Sequence, residues 1–157
     1  MKAQIEAATR PYVVVAFSRE QSGFFSFKVS NVGHSAAKQL QLKSDPEIKP
    51  VRASGSVVEF GTVPDSIGFF RHSITYLAPS QSVEALVGHY SDIRASYPEL
   101  LFRISLHYHG IGGPYEETVE LSLKPTDDAQ YLMDYDIGEE LHEIRKTLEG
   151  IKSKLEA

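Results

Sequence analysis

His107 and His109 are the side chains best suited to chemistry in this sequence. They alternate with Leu106 and Tyr108, so on a strand both imidazoles leave the same face. Glu116, in the next β-like run, could bring a carboxylate beside them and complete a set of two nitrogens and one oxygen of the kind zinc accepts. No metal site is expected: His107, His109 and Glu116 are the only candidate ligands, and the reading preferred for them is a solvated or partner-covered sheet face. His34, His72 and His89 fall in expected turns or strand ends, with nothing to gather them. Cysteine is absent, which excludes disulfides, thiolate metal sites and a cysteine nucleophile. Gly110-Ile111-Gly112-Gly113 is glycine-rich, but Pro114 and a strand follow it, where a phosphate loop needs a helix N-terminus. Ser54-Gly55-Ser56 lacks the flanking glycines of a nucleophile elbow. The carboxylates of Glu116–Glu117 and Asp127–Asp128 are sequence neighbours, which on a strand point to opposite faces and cannot share acid–base work. The chain therefore reads as non-catalytic, with no cofactor expected. Tyr90, Tyr97 and Tyr115 stand beside expected loops and are the candidates for contact with a partner, because an amphipathic ring can anchor one there. Capping the ends of the core is their competing use.

These residues need strands to position them. Tyr12 to Phe17 is β-branched and aromatic, the pattern of a strand buried on both faces or near an edge. Phe25, Phe27 and Val29 alternate with Ser26, Lys28 and Ser30, which marks a half-buried strand. Asn31-Val32-Gly33 then turns the chain, Asn31 and Gly33 being able to take positive φ. Leu40 and Leu42 begin a further alternation, and shorter strands are expected at 57–60, 73–77 and 83–87. In the last hairpin, Phe102, Ile104, Leu106 and Tyr108 share one face, as do Val119, Leu121 and Leu123. For both apolar sets to meet the same core, paired residue numbers must sum to an odd value, so His107 should lie opposite Glu116 or Thr118 and not Glu117. Seven or eight short strands with polar turns and no long helical pattern among them predict a mainly β protein, an immunoglobulin-like antiparallel β-sandwich. Trp is absent, as are the paired cysteines of antibody domains, so the label concerns architecture.

The run Phe25-Ser-Phe-Lys-Val-Ser-Asn31-Val-Gly33, with Ser35-Ala-Ala37 and Leu40-Gln-Leu42 after it, resembles the opening of bacterial immunoglobulin-like domains of the CARDB type. Leu77-Ala-Pro79-Ser-Gln81-Ser82 is similar to their recurring Leu-x-Pro-Gly-x-Ser turn, with Ser80 in place of the glycine. Tyr108-His-Gly110 and the hairpin after it fit the same pattern. The resemblance covers roughly residues 11–124 and specifies fold better than function. It also implies a compartment. Such domains often follow transmembrane helices, through junctions resembling Ala-Ala-Thr-Arg10-Pro11-Tyr12, so the chain could be the soluble part of a bacterial membrane-anchored protein whose anchor is missing here. A complete small soluble protein is the competing reading.

Beyond the sheets the period changes. The chain divides into a lead at 1–10, a β body at 11–124, and a linker with an amphipathic heptad helix at 125–157. Ile137, Leu141, Ile144, Leu148, Ile151 and Leu155 are spaced four, three, four, three, four, an unbroken seam of Leu at a and Ile at d. Asp136 is the expected N-cap, with Glu139 completing a capping-box-like pair. Residues 127–143 hold seven acids and no Lys or Arg, and residues 144–157 hold four bases and two acids, an order that suits the helix dipole. Leu at a with Ile at d favours more than two strands, and in a parallel bundle Glu140 would face Arg145 of a neighbour. The seam must be buried against copies of itself, against its own sheets, or against another protein's helix.

Charge and length bound the partners. One chain of 157 residues is enough for a single core. The net charge of −5 lies wholly in residues 127–157, because residues 1–126 carry 12 basic and 12 acidic side chains. A neutral body with an acidic tail is a poor footprint for nucleic acid. The longest apolar run, Tyr12 to Phe17, is far short of the ~20 residues of a membrane helix. The sequence therefore predicts a non-catalytic protein-interaction module, made multivalent by its helix and offering loops or sheet edges to a partner. The alternative is a metal- or small-ligand-binding sandwich that uses His107 and His109.

Overall fold

The computed structural model describes residues 9–20, 23–51, 66–128 and 137–155. The expected strand at 57–60, the Ser54-Gly55-Ser56 motif and the Asp136 cap lie outside them. Seven strands are described: β1 Val13–Arg19, β2 Phe24–Asn31, β3 Ala37–Asp45, β4 Ile74–Leu77, β5 Ser82–His89, β6 Leu101–Gly110 and β7 Gly113–Ser122. Four helices accompany them: α1 Gly68–Arg71, α2 Tyr90–Ser96, α3 Lys124–Asp128 and α4 Ile137–Leu155. The chain divides into two compact units, Met1–Pro125 and Thr126–Ala157.

All strand pairs are antiparallel and form two sheets, in the orders β1-β2-β5 and β4-β3-β6-β7. Inward residues of both sheets join one core, with Val15, Phe27 and Val29 from the first and Leu40, Phe102, Ile104 and Tyr108 from the second. Phe17 bridges them. Its ring lies 5.6 Å from Phe27 in its own sheet and 5.1 Å from Phe102 in the other. The alternation explains which residues go in, since only every second side chain of a strand can reach that core. β1 follows this rule as an edge strand: Val13 and Val15 are buried while Val14 is 38% exposed, so its apolar run is not covered on both faces.

The final hairpin has the register that parity demands. His107 is paired with Glu116, Tyr108 with Tyr115 and Ile104 with Val119. The short helix α2 was not expected. Its first residue, Tyr90, is buried, and the His89 side chain caps it by accepting a hydrogen bond from the Ser91 amide at 3.4 Å.

One polar residue ties the end of the first unit together. Asn31 is fully buried. Its Oδ1 accepts hydrogen bonds from the amides of Tyr12 at 3.2 Å and Gly33 at 3.0 Å. Its Nδ2 donates to the carbonyls of Ser35 at 2.8 Å and Leu77 at 3.0 Å. All four side-chain positions are thereby used. Its main chain adds two more bonds, donating to Gln81 and accepting from Ser80. Gly33 is required for a different reason from the expected one. Neither Asn31 nor Gly33 is among the residues with positive φ. Instead, a Cβ at Gly33 would lie 2.4 Å from the Tyr12 nitrogen and 2.5 Å from the Arg10 oxygen, so the glycine admits a crossing segment of backbone. Positive φ occurs at Ser80, at 63°, the position where the resembling turn carries glycine.

Candidate interaction surfaces

The outer face of β6 carries Arg103, Ser105, His107 and His109. Strand register sets their neighbours: Gln41 and Glu116 flank His107, while Lys38 and Pro114 flank His109. The two imidazoles meet edge to face with centroids 5.2 Å apart. Arg103 pairs with Glu120 at 3.1 Å on the same face. Among the described residues no group of three His, Asp or Glu is placed to hold a metal ion, His107, His109 and Glu116 included. Register sets Glu116 beside His107 and Pro114 beside His109.

The three tyrosines are used by the fold. Tyr90 is only 4% exposed and its ring lies 5.7 Å from that of Phe25, so it offers no face to a partner, a correction that follows from its place at the start of α2. Tyr97 donates from its hydroxyl to the Glu47 carbonyl at 2.8 Å and accepts from the Lys49 amide at 3.0 Å. Its ring packs 5.1 Å from Phe102, so it fastens the segment after β3 to the core. Tyr115 stacks on Tyr108 at 5.4 Å, donates to the Ile111 carbonyl and lies 5.6 Å beneath the Arg10 guanidinium.

Tyr108, below Tyr115, is buried. Burial pushes its pKa up from 10.0 to about 12, a backbone hydrogen bond from Val13 opposes this, and the Glu117 carboxylate adds to it. Its hydroxyl donates to Glu117 Oε1 at 3.0 Å. It is therefore neutral and structural at ordinary pH.

A surface that sequence reasoning missed lies at the end of the sheets where residues 10–12 run. The Val32 amide bonds the Tyr12 carbonyl at 2.8 Å, and a Cβ at Gly110 would lie 2.3 Å from Pro11 Cγ. These close approaches bring the β2–β3 turn and the β6–β7 loop to the same segment. Val32 is 59% exposed, Ile111 58% and Tyr12 44%. Arg10 stands 5.2 Å over the Tyr12 ring. The signal was present in the sequence: a large aliphatic residue occupies the middle of each turn motif, Asn-Val-Gly and Gly-Ile-Gly, where polar residues are usual.

In the second unit, α4 runs for 19 residues, about 28 Å at 1.5 Å per residue. Ile144, Leu148 and Ile151 are each more than half exposed. Together with Ile137, Leu141 and Leu155 they follow the heptad spacing along one helix face. Arg145 is held by Glu149 of its own helix at 3.1 Å. Among the described residues no helix is long and apolar enough to cross a membrane.

No curated protein and no solved structure matches the chain. The family model of a domain of unknown function, DUF8453, matches residues 1–127, which takes in both sheets and stops short of α4.

Proposed function

The chain belongs to the DUF8453 family, for which no function is described, and from that premise we propose that it is a non-catalytic protein-interaction module. In this reading an immunoglobulin-like β-sandwich is gathered into several copies by α4, with more than two chains favoured. The strand orders β1-β2-β5 and β4-β3-β6-β7, around one shared core, support the sandwich. The exposed stripe on α4 is the observation that carries the function. Three large aliphatic side chains at heptad spacing are about half open to water, and burying the remainder releases about 1 kcal/mol each. Leu at a and Ile at d is the arrangement that helices use to bury such a stripe against one another.

Gathering the sandwiches raises their avidity without any new contact, provided that each offers a binding surface. The end formed by Tyr12, Val32 and Ile111 supports that role better than the three tyrosines first considered. Fold alone licenses no function, so the proposal rests on these surfaces. Light scattering behind size exclusion tests it, using the full chain and an Ile144→Glu/Leu148→Glu variant. The expected result is a multimer that becomes a monomer on substitution, with the β signal in circular dichroism retained. A monomer in both cases overturns self-assembly and leaves the chain's own sheets or another protein's helix as the cover of the stripe.

A further inference from the structure

We propose that the α4 stripe is covered by the same stripe of a second copy running antiparallel, with Ile144 of one chain over Leu148 of the other. This rests on the self-assembly proposed above and adds its direction. The seam reads the same from both ends. Set antiparallel with full overlap, Ile137 meets Leu155, Leu141 meets Ile151 and Ile144 meets Leu148. In every layer each pair of facing antiparallel helices then sets one Ile against one Leu, in two strands or in a larger bundle alike, whereas parallel helices would alternate Leu–Leu with Ile–Ile.

Charge chooses between the two directions. The first two turns of α4 carry Glu139, Glu140 and Glu143, and its later part carries Arg145, Lys146, Lys152 and Lys154. Parallel helices put acid beside acid and base beside base, while antiparallel helices put each acidic end beside a basic one and oppose the two dipoles. At the positions flanking the seam, the antiparallel register sets Glu140 opposite Lys154 of the second copy, twice by symmetry. The one attractive flanking pair of the parallel form needs Arg145 to reach Glu140 of a neighbour. In the structure the Arg145 guanidinium is turned to Glu149 of its own helix at 3.1 Å. The same ion pair serves the antiparallel form, in which Arg145 would face its own copy, because each guanidinium is already paired with a carboxylate.

The chain has no cysteine, so single cysteines report on direction without background. Full-length Ile144→Cys and Leu148→Cys chains, one lengthened by a tag, are oxidised separately and mixed. The expected result is a disulfide-linked tagged–untagged pair from the mixture and little linkage in either variant alone. Self-linkage of Ile144→Cys that equals or exceeds the mixed product means parallel helices and overturns the proposal. A charge exchange checks the result without new bonds. Lys154→Glu should weaken assembly, and adding Glu140→Lys should restore it. Failure of the double exchange to restore assembly also overturns the antiparallel register. Light scattering on the unsubstituted chain comes first: a monomer there overturns the self-assembly reading together with this one, whereas a multimer with parallel linkage overturns only the direction.

Discussion

Asn31 is fully buried and makes four side-chain hydrogen bonds, which join three stretches of backbone: Tyr12, the turn from Gly33 to Ser35, and Leu77. Replacing it with alanine strands two amides and two carbonyls together, so Asn31→Ala should destabilise the protein by about 3 kcal/mol or more. Urea unfolding should show this as a lower midpoint with an unchanged slope. Tyr108 gives a second expectation at this scale. Its folded pKa of about 12 lies above the unfolded value of 10.0 because the phenol is buried beside Glu117. A raised pKa means that the folded state holds its proton more tightly, so this contribution is complete below pH 10 and is lost as pH rises through about 12. Tyr108→Phe should therefore flatten the fall in stability between those limits, measured by denaturation at fixed pH steps. Sequence showed both residues without showing their work. The Asn-x-Gly signal correctly marked a turn, but the role of Asn31 depends on Leu77 and Tyr12, which are distant in sequence. Gly33 was recognisable as a turn residue, yet its real constraint is a backbone crossing that no local pattern encodes.

Strands were legible where their alternation was long. Parity restricts the β6–β7 register to odd sums, since one face of each strand is apolar over most of its length and a one-residue slip would turn it outward, and the two-residue loop between the paired Gly110 and Gly113 then selects Glu116 over Thr118 for His107. Helix α2 was not legible, because seven residues give the helical period too few turns to repeat. That miss made Tyr90 a candidate for partner contact, whereas its burial agrees with the competing use, capping the end of the core. For His107, His109 and Glu116, alternation told which face the two imidazoles share and parity which carboxylates can face His107, but a metal needs ligand atoms that converge, which neither pattern encodes. In α4 the pattern was legible, and it also marks a weak point. Gly150 lies on the outer side of the heptad, and a Cβ there would meet nothing within 4 Å. Gly150→Ala should strengthen the helix by up to about 1 kcal/mol, seen as higher helical ellipticity and a higher melting midpoint for the assembled chain.

At the scale of the molecule, the two units divide the work by charge as well as by structure. The first is near neutral and the second holds the net −5. Neutral sheets suit contact with many kinds of surface, and the order of acids and bases along the helix sets a direction for its own contacts. The crossing at Gly33 has a practical outcome. It pins residues 10–12 against the turn that carries Val32, and Gly110 sets the loop of Ile111 against Pro11. Arg10, Pro11 and Tyr12 thus lie beside the exposed aliphatic tips. A substitution in the segment from Arg10 to Tyr12 would therefore disturb the same end of the protein as one at Val32 or Ile111, so the three segments are to be read as one surface.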